Sequence, residues 1–174
     1  MSPVTIHESG LAFGPFDEDK CFPVEQSALY ASLGEGVKMV EFILLRPGKG
    51  GVSNLFCVEA KTSAPQQGSQ PRFDEYFAEV REKMLNALLL FLGARLGRDG
   101  DAADELPEGL RTPDLRAIGF KFVLVVSTAE ESWLVPLQDK FTQVMRSAVK
   151  SFNVRPASTV VLDTERARKQ GLIT

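Results

Sequence analysis

The sequence predicts an α/β domain in which a mixed sheet of about five strands is flanked by helices. Residues 120–127 form a nearly unbroken run of β-branched and aromatic side chains, which is typical of a strand buried on both faces. Residues 72–97 carry the longest helical pattern of apolar side chains. Residues 38–46 and 53–63 are two apolar segments joined by a glycine-rich turn, which indicates a β-hairpin.

The segment before this hairpin is predicted to contain a small hairpin and one short helix. Two short apolar pieces flank Ser9 and Gly10, so we expect a hairpin over residues 4–16. Residues 24–33 place apolar side chains at helical offsets, and Gly34 follows as a stop signal. The central hairpin is therefore expected to follow directly on a helix.

The segments on either side of the long helix are predicted to be loops. The polar residues 64–71 form either a substrate-facing loop or an inert connector. Residues 98–116 are polar and aperiodic, which indicates a long loop. Within the helix itself, residues 87–92 are apolar on all sides. They must be buried either in the domain core or against a second subunit.

The last third of the chain is predicted to add a helix, a strand and a terminal helix. Residues 137–152 are amphipathic, and Pro136 is suited to the first turn of that helix. Residues 158–163 read as a last buried strand. The chain length favours one domain over residues 1–174, with the hairpin at 4–16, a core at about 24–163 and a short helix at 164–172.

Composition restricts the classes of function. The net charge is −3, from 20 basic and 23 acidic residues, so the chain lacks the positive charge of a tight nonspecific DNA binder. His7 is the only histidine, which excludes a histidine-based zinc site. The two cysteines suggest reduced, buried thiols and a cytoplasmic protein. No apolar run reaches the length of a membrane span, so no membrane partner is expected.

The central hairpin carries three charges on otherwise apolar strands. Side chains alternate along a strand, so Glu59 and Lys61 are predicted to share one face. That face also holds Leu55 and Cys57, while Phe56, Val58 and Ala60 take the other face. The preceding strand has Glu41 as its interior charge, with Val40, Phe42 and Leu44 facing away from it. If the hairpin is centred near Gly50, Glu41 lies roughly opposite Glu59.

Two carboxylates and one lysine on the apolar strands of this hairpin require an explanation, because buried charges are costly unless they pair or bind a metal ion. One explanation is a structural ion pair, in which Lys61 neutralises one glutamate at the edge of the sheet. The other is a site for Mg²⁺ or Mn²⁺, with Glu41 and Glu59 as ligands and Lys61 stabilising charge on a phosphate. The residues alone leave both explanations open.

The pattern resembles the PD-(D/E)xK nuclease superfamily of restriction-endonuclease-like folds. The matching residues are Glu41 for the first acid and Glu59-Ala60-Lys61 for the Glu-x-Lys element, followed by a helix. The resemblance implies that Glu41 and Glu59 bind Mg²⁺ or Mn²⁺, that Ala60 adds its backbone carbonyl, and that Lys61 assists phosphodiester hydrolysis. It also suggests Glu25 as a further acid near the metal.

The resemblance leads to two expectations for function. The first is a metal-dependent nuclease or nuclease-fold protein acting on nucleic acid, with DNA favoured and a protein partner or homodimer allowed. The alternative is a noncatalytic interaction or nucleic-acid-binding module with an impaired metal site. The longer first acid, Glu41 where the family usually has aspartate, favours this alternative. Four residues could form a modest basic strip for a phosphate backbone, although a solvated helix face is the more frequent explanation for such a pattern: Lys140, Arg146, Lys150 and Arg155.

Overall fold

The protein was analysed as a computed structural model that describes residues 2–174, with all their side chains except that of Ala102. The strands are β1 Pro3–Glu8, β2 Leu11–Asp17, β3 Cys21–Pro23, β4 Phe42–Pro47, β5 Ser53–Lys61, β6 Gly119–Val126 and β7 Thr159–Leu162. The helices are α1 Ala28–Ala31, α2 Arg72–Arg95, α3 Glu108–Arg111, α4 Glu131–Ser151 and α5 Thr164–Lys169. Short 3-10 turns lie at Glu18–Lys20, Val24–Gln26, Lys49–Gly51, Gly100–Glu105 and Pro156–Ser158.

Five strands form one mixed sheet in the order β3-β4-β5-β6-β7, which confirms the predicted α/β class. β3, β4 and β5 pair antiparallel, whereas β5, β6 and β7 pair parallel. The change from antiparallel to parallel pairing occurs at β5. It follows from the connections, because the crossovers from β5 to β6 and from β6 to β7 run through α2 and α4. β5 and β6 therefore lie at the centre of the sheet and are buried on both faces.

The sheet separates two apolar layers. On one face, β4, β5 and β6 pack against α2 and α4 through residues such as Leu55, Phe77 and Phe141. The guanidinium of Arg81 on α2 donates to the Val144 carbonyl of α4 at 3.1 Å, which ties the two helices together. On the other face, the antiparallel β1–β2 hairpin and α5 cover a second cluster. Its members include Ile6, Phe13, Phe42, Val58 and Leu172.

The hairpins, the long helix and the two buried strands confirm the predicted elements within a few residues. The predicted helix over 24–33 is wrong in its extent, because Ser27 takes an extended conformation and caps a new turn through its hydroxyl. The chain there forms a 3-10 turn, which holds Glu25, followed by α1, a single turn. The three-residue strand β3 was missed by the sequence prediction.

Three further boundaries differ from the prediction. α4 begins six residues before 137, so Pro136 lies inside the helix rather than in its first turn. The earlier start lets the helix bury Leu134. The predicted loop 98–116 contains the 3-10 turn Gly100–Glu105 and the helix α3. β4 begins at Phe42 rather than at residue 38, so the residues before it do not alternate as a strand would.

Within residues 2–174, none of the helices combines the length and the apolar character needed to cross a membrane. Cys21 and Cys57 are both free and buried, as predicted. They lie in different layers, with Cys57 in the cluster under α2 and Cys21 in the cluster under the β1–β2 hairpin. Burial raises the pKa of each thiol to about 12.

Candidate functional site

The candidate site lies at the carboxyl end of β5, where the first parallel crossover begins. The predicted alternation of side chains is confirmed, since Leu55 and Cys57 lie in the cluster under α2 while Phe56 and Val58 lie in the opposite cluster. Glu59 is two residues after Cys57, so its side chain lies on the same face of the sheet as α2, and it contacts Lys83 of that helix. The site is thus enclosed between the end of β5 and the inner face of α2.

Glu41 is brought next to Glu59 by the pairing of β4 with β5. Phe42 is opposite Val58 and Ile43 is opposite Cys57, which is the register expected for a hairpin centred near Gly50. The Glu41 amide donates to the Val58 carbonyl at 3.1 Å, so Glu41 remains attached to β5 at the end of the ladder. The prediction for Val40 is wrong, because it packs in the α2 layer and not with Phe42. It lies before the start of β4, where strict alternation does not apply.

Glu59 is fully buried and is held by two lysines. Its Oε1 accepts a hydrogen bond from Lys83 Nζ at 2.7 Å, and Lys61 Nζ lies 3.5 Å from the same oxygen. Its Oε2 has no hydrogen-bond partner among the described residues. Burial raises the pKa of Glu59 despite the opposing effect of Lys83 and Lys61. One half of the carboxylate is therefore satisfied and the other half is not.

Lys61 connects the buried glutamate to the surface. Its Nζ donates to Glu79 Oε1 of α2 at 2.9 Å, and 26% of the side chain is exposed. Burial lowers the pKa of Lys61, but the contacts with Glu79 and Glu59 outweigh it, so that the pKa is raised overall. Lys38 reaches the other oxygen of Glu79 at 3.4 Å. The ammonium of Lys61 thus lies between the buried Glu59 and the partly exposed Glu79.

Glu41 lies in a negative environment. Burial raises its pKa to about 8, and the charges of Glu59, Glu25 and Glu8 add to the shift, while Lys83 opposes it. Glu25 is exposed in the turn Val24–Gln26, whose first amide donates to the Glu41 carbonyl at 3.1 Å. Glu41 and Lys61 therefore each lie close to Glu59, and Glu25 lies near enough for its charge to act on Glu41.

Three residues of the site on α2 were missed by the sequence prediction: Tyr76, Glu79 and Lys83. Tyr76 has a buried hydroxyl without a partner within residues 2–174. Burial raises its pKa, and the charges of Glu59 and Glu79 raise it further. The three residues are spaced three and four apart, so they share one face of α2. That spacing was available in the sequence, but no pattern there indicated that this face packs on β5.

The chemistry of these residues fits a divalent cation only in part. Mg²⁺ and Mn²⁺ prefer carboxylate and carbonyl oxygens, and Glu41 and Glu59 offer two such groups. A cation near Glu41 would offset the negative charge around that residue, and Oε2 of Glu59 has no hydrogen-bond partner among the described residues. Ala60, whose backbone carbonyl is the third expected ligand, lies beyond Val58, the last residue of β5 that pairs with β4. Across residues 2–174, however, no three histidine, cysteine, aspartate or glutamate side chains are arranged to hold a metal ion.

The four residues of the predicted basic strip are not gathered at this site. Lys140 forms an ion pair with Asp74 of α2. Arg146 and Lys150 are exposed on α4. Arg155 lines a groove of about 670 Å³ together with Lys49 and Lys121, next to Asn54. Asn54 is at the amino end of β5, whereas Glu59 and Lys61 are at its carboxyl end. The groove and the candidate site therefore lie at opposite ends of this strand.

Comparison of the chain with protein-family models, with curated proteins and with solved structures found no match. The resemblance to the PD-(D/E)xK superfamily consequently depends on the chain's own features. These are the position of Glu41 before β4, the Glu59-Ala60-Lys61 element at the end of β5, and the helix α2 that follows.

Proposed function

We propose that this protein is a metal-dependent nuclease, or a nuclease-fold protein, that hydrolyses phosphodiester bonds in nucleic acid, with DNA as the favoured substrate. The observation that carries the proposal is that Glu59, at the carboxyl end of a central strand, lies 3.5 Å from the Lys61 ammonium and close enough to Glu41 for its charge to act on it. In sheets of this kind, ligands bind at the carboxyl ends of the parallel strands. We also propose a cytoplasmic location, because both cysteines are free thiols.

Each residue has a distinct task in this proposal. Glu41 and Glu59 hold Mg²⁺ or Mn²⁺ with the backbone carbonyl of Ala60, and Glu25 adds negative charge nearby. The ion, when bound, polarises a phosphodiester and lowers the pKa of a water molecule. Lys61 points from the buried acid toward solvent, where its ammonium stabilises the negative charge that develops on a phosphate oxygen.

The alternative is a noncatalytic interaction or nucleic-acid-binding module that keeps the fold. One observation favours it: Lys83 already neutralises Glu59 at 2.7 Å, and the Glu59 side chain has 0% exposure. An acid in this state serves as a structural ion pair between β5 and α2. In the nuclease proposal, the Lys83 ammonium instead gives way to the metal ion as the counter-charge of Glu59.

A metal titration tests the proposal. The wild type, Glu41→Gln and Glu59→Gln are titrated with Mg²⁺ and with Mn²⁺ by calorimetry, and their unfolding is followed with and without metal. Glutamine keeps the shape of the side chain and removes its charge. A free metal concentration of 100 times the dissociation constant stabilises the fold by about 2.7 kcal/mol. We expect this stabilisation in the wild type and not in the two variants, and Glu165→Gln on the exposed face of α5 is the matched control.

Cleavage is then measured on duplex DNA, single-stranded DNA and RNA for the wild type and Lys61→Ala. The expected result is metal-dependent cleavage that Lys61→Ala abolishes while its circular dichroism spectrum stays unchanged. The titration is repeated with a short DNA duplex present, so that metal recruited together with substrate is also detected. Absence of metal binding under both conditions contradicts the nuclease proposal and favours the noncatalytic module.

A further inference from the structure

The groove at the amino end of β5, called here the basic groove, collects positive charge from three separate segments of the chain. Lys49 comes from the turn between β4 and β5, Lys121 from β6, and Arg155 from the segment between α4 and β7. No aspartate or glutamate is among the described residues that line the groove. Within residues 2–174, none of its three cations forms an ion pair.

A fourth cation, Arg46, lies beside the basic groove. It is opposite Asn54 in the pairing of β4 with β5, and Asn54 lines the groove. The Arg46 guanidinium lies 5.7 Å from the centre of the Phe56 ring, and the Lys121 ammonium lies 5.4 Å from the centre of the same ring. Burial lowers the pKa of Arg46, and no acid in the described chain opposes this shift. Two cations therefore share one aromatic ring without an acid to neutralise them.

The floor of the basic groove is built around an amide that is held in place. The amide nitrogen of Asn54 lies against Gly48, and its oxygen lies against Gly119. A Cβ atom at either glycine would collide with this amide, so both positions require the absence of a side chain. The apolar residues Val52 and Ile118 also line the groove, and Val52 is 46% exposed. The same ligand can therefore meet cations, one amide and apolar surface.

The charge of the basic groove favours an anionic ligand. Like charges repel one another, and a bound anion relieves that repulsion. Phosphate groups are suited to this place, because each offers several acceptor oxygens and up to about two negative charges to lysine, arginine and amide donors. Two or more phosphate groups are needed to match the three cations that line the groove together with Arg46.

The size of the basic groove and the charge around it favour a small ligand over a long polymer. The volume of about 670 Å³ lies within the range of about 300 to 1,000 Å³ that is usual for small-molecule sites. The whole chain has a net charge of −3, so the surface outside this groove carries an even larger excess of acids. A long anionic polymer would extend onto that acidic surface, whereas a small ligand meets only the cations.

We propose that the basic groove binds a small molecule that carries two or more phosphate groups. Lys49, Lys121 and Arg155 donate to the phosphate oxygens, and the apolar wall contacts the rest of the molecule. This function goes beyond the proposed nuclease activity and does not depend on it, because Asn54 and Glu59 lie at opposite ends of β5.

Calorimetric titration with tripolyphosphate, with ATP and with inorganic phosphate tests the proposal. EDTA is present throughout, so that the candidate metal site does not contribute to the signal. We expect one molecule of tripolyphosphate or of ATP to bind per chain. Their dissociation constants are expected to be at least about tenfold lower than that of inorganic phosphate, because several phosphate groups contact several cations at once.

Substitutions in the basic groove locate the binding. Arg155→Gln and Lys121→Gln are each expected to raise the dissociation constant of tripolyphosphate by about tenfold or more, because each removes one charge-assisted contact. Arg72→Gln is the matched control, since Arg72 is exposed like Arg155 but lies at the start of α2, beyond the carboxyl end of β5. Circular dichroism confirms that each variant is folded.

The proposal is overturned if none of the three phosphate compounds binds with saturation, or if inorganic phosphate binds as tightly as tripolyphosphate. Equal weakening by Arg155→Gln and Arg72→Gln also overturns it, because the anion then responds only to overall charge. A short DNA duplex is titrated in the same way. A duplex that displaces tripolyphosphate and binds more tightly than it would assign the groove to nucleic acid instead. All these results are independent of metal binding at Glu59, which the metal titration measures without phosphate compounds.

Discussion

At the scale of the residue, the Glu59 carboxylate determines the character of the site. A carboxylate with no exposure to water is costly unless it is paired and hydrogen-bonded. Lys83 and Lys61 both approach the same oxygen, and Oε2 is left without a partner in the described chain. Burial is the largest influence on the pKa of Glu59 and raises it, although both lysines act in the opposite direction.

Glu41 is predicted to make stability depend on pH. The pKa of its carboxyl is raised from 4.5 to about 8, mainly by burial and then by nearby acids. Between these two pH values the folded state keeps a proton that the unfolded state has released, so the free energy of unfolding falls as pH rises. The loss is at most about 5 kcal/mol across that range. Glu41→Gln removes this loss, so the variant is more stable than the wild type above pH 8 and similar to it near pH 4.5.

Urea denaturation of the wild type and Glu41→Gln at several pH values measures the difference. Other titrating groups, including Glu59 and Lys61, are present in both proteins, so most of their contribution cancels in the comparison. Parallel pH profiles for the two proteins would show that Glu41 titrates near its ordinary pKa and that the nearby acids do not act on it.

The sequence predicted the strand residues of the site better than the helix residues. The period of two along β5 placed Glu59 and Lys61 on one face, and the short turn determined the register that brings Glu41 to Glu59. No comparable rule predicts how a helix is rotated on a sheet. Lys83 and Glu79 were therefore missed, because their contacts depend on the packing of α2 as a whole.

At the scale of the element, the outer edge of β7 is covered by a side chain instead of a strand. Gln138 of α4 accepts a hydrogen bond from the Val161 amide at 2.8 Å and donates to the Thr159 carbonyl at 2.9 Å. One amide group thus satisfies two backbone groups that an edge strand leaves free.

Replacing Gln138 by leucine is predicted to lower the free energy of unfolding by about 1 to 2 kcal/mol, because two hydrogen bonds to the β7 backbone are lost together with one to Thr142. Urea denaturation provides the measurement. Gln143→Leu on the exposed face of the same helix is the control and is expected to change stability by less than about 0.5 kcal/mol. Equal effects of both substitutions would mean that the Gln138 amide does not support β7.

Long elements were easier to predict than short ones. α2 and β6 each extend over enough residues for the apolar period to be unambiguous. β3 has three residues and α1 has four, too few for either period to be recognised. Their conformation is set by neighbours distant in the chain. Glu105, for example, accepts hydrogen bonds from the Ala28 and Leu29 amides at the start of α1.

At the scale of the whole molecule, the sheet divides the core into two layers, and each layer contains one cysteine. Cys57 is 1% exposed in the layer under α2, and Cys21 is 2% exposed in the layer under the β1–β2 hairpin. Burial raises both thiol pKa values to about 12, so neither thiol forms the reactive thiolate in the folded protein.

The two thiols therefore report whether the layers unfold together. Because β4, β5 and β6 contribute to both layers, we expect a thiol reagent to label Cys21 and Cys57 at the same rate, set by global unfolding. Labelling is followed by mass spectrometry after proteolysis, and fully denatured protein gives the intrinsic rates. Faster labelling of Cys21 by more than about tenfold, which corresponds to about 1.4 kcal/mol, would show that the hairpin side opens separately.

Lys83 and Glu79 attach α2 to the end of β5 through Glu59 and Lys61. A ligand that displaced Lys83 from Glu59 would therefore change how firmly this helix is held to the sheet. If a contact elsewhere on α2 changed the affinity for that ligand by some factor, the ligand would change the affinity of that contact by the same factor. The outer surface of the helix would then report on the state of the buried acid.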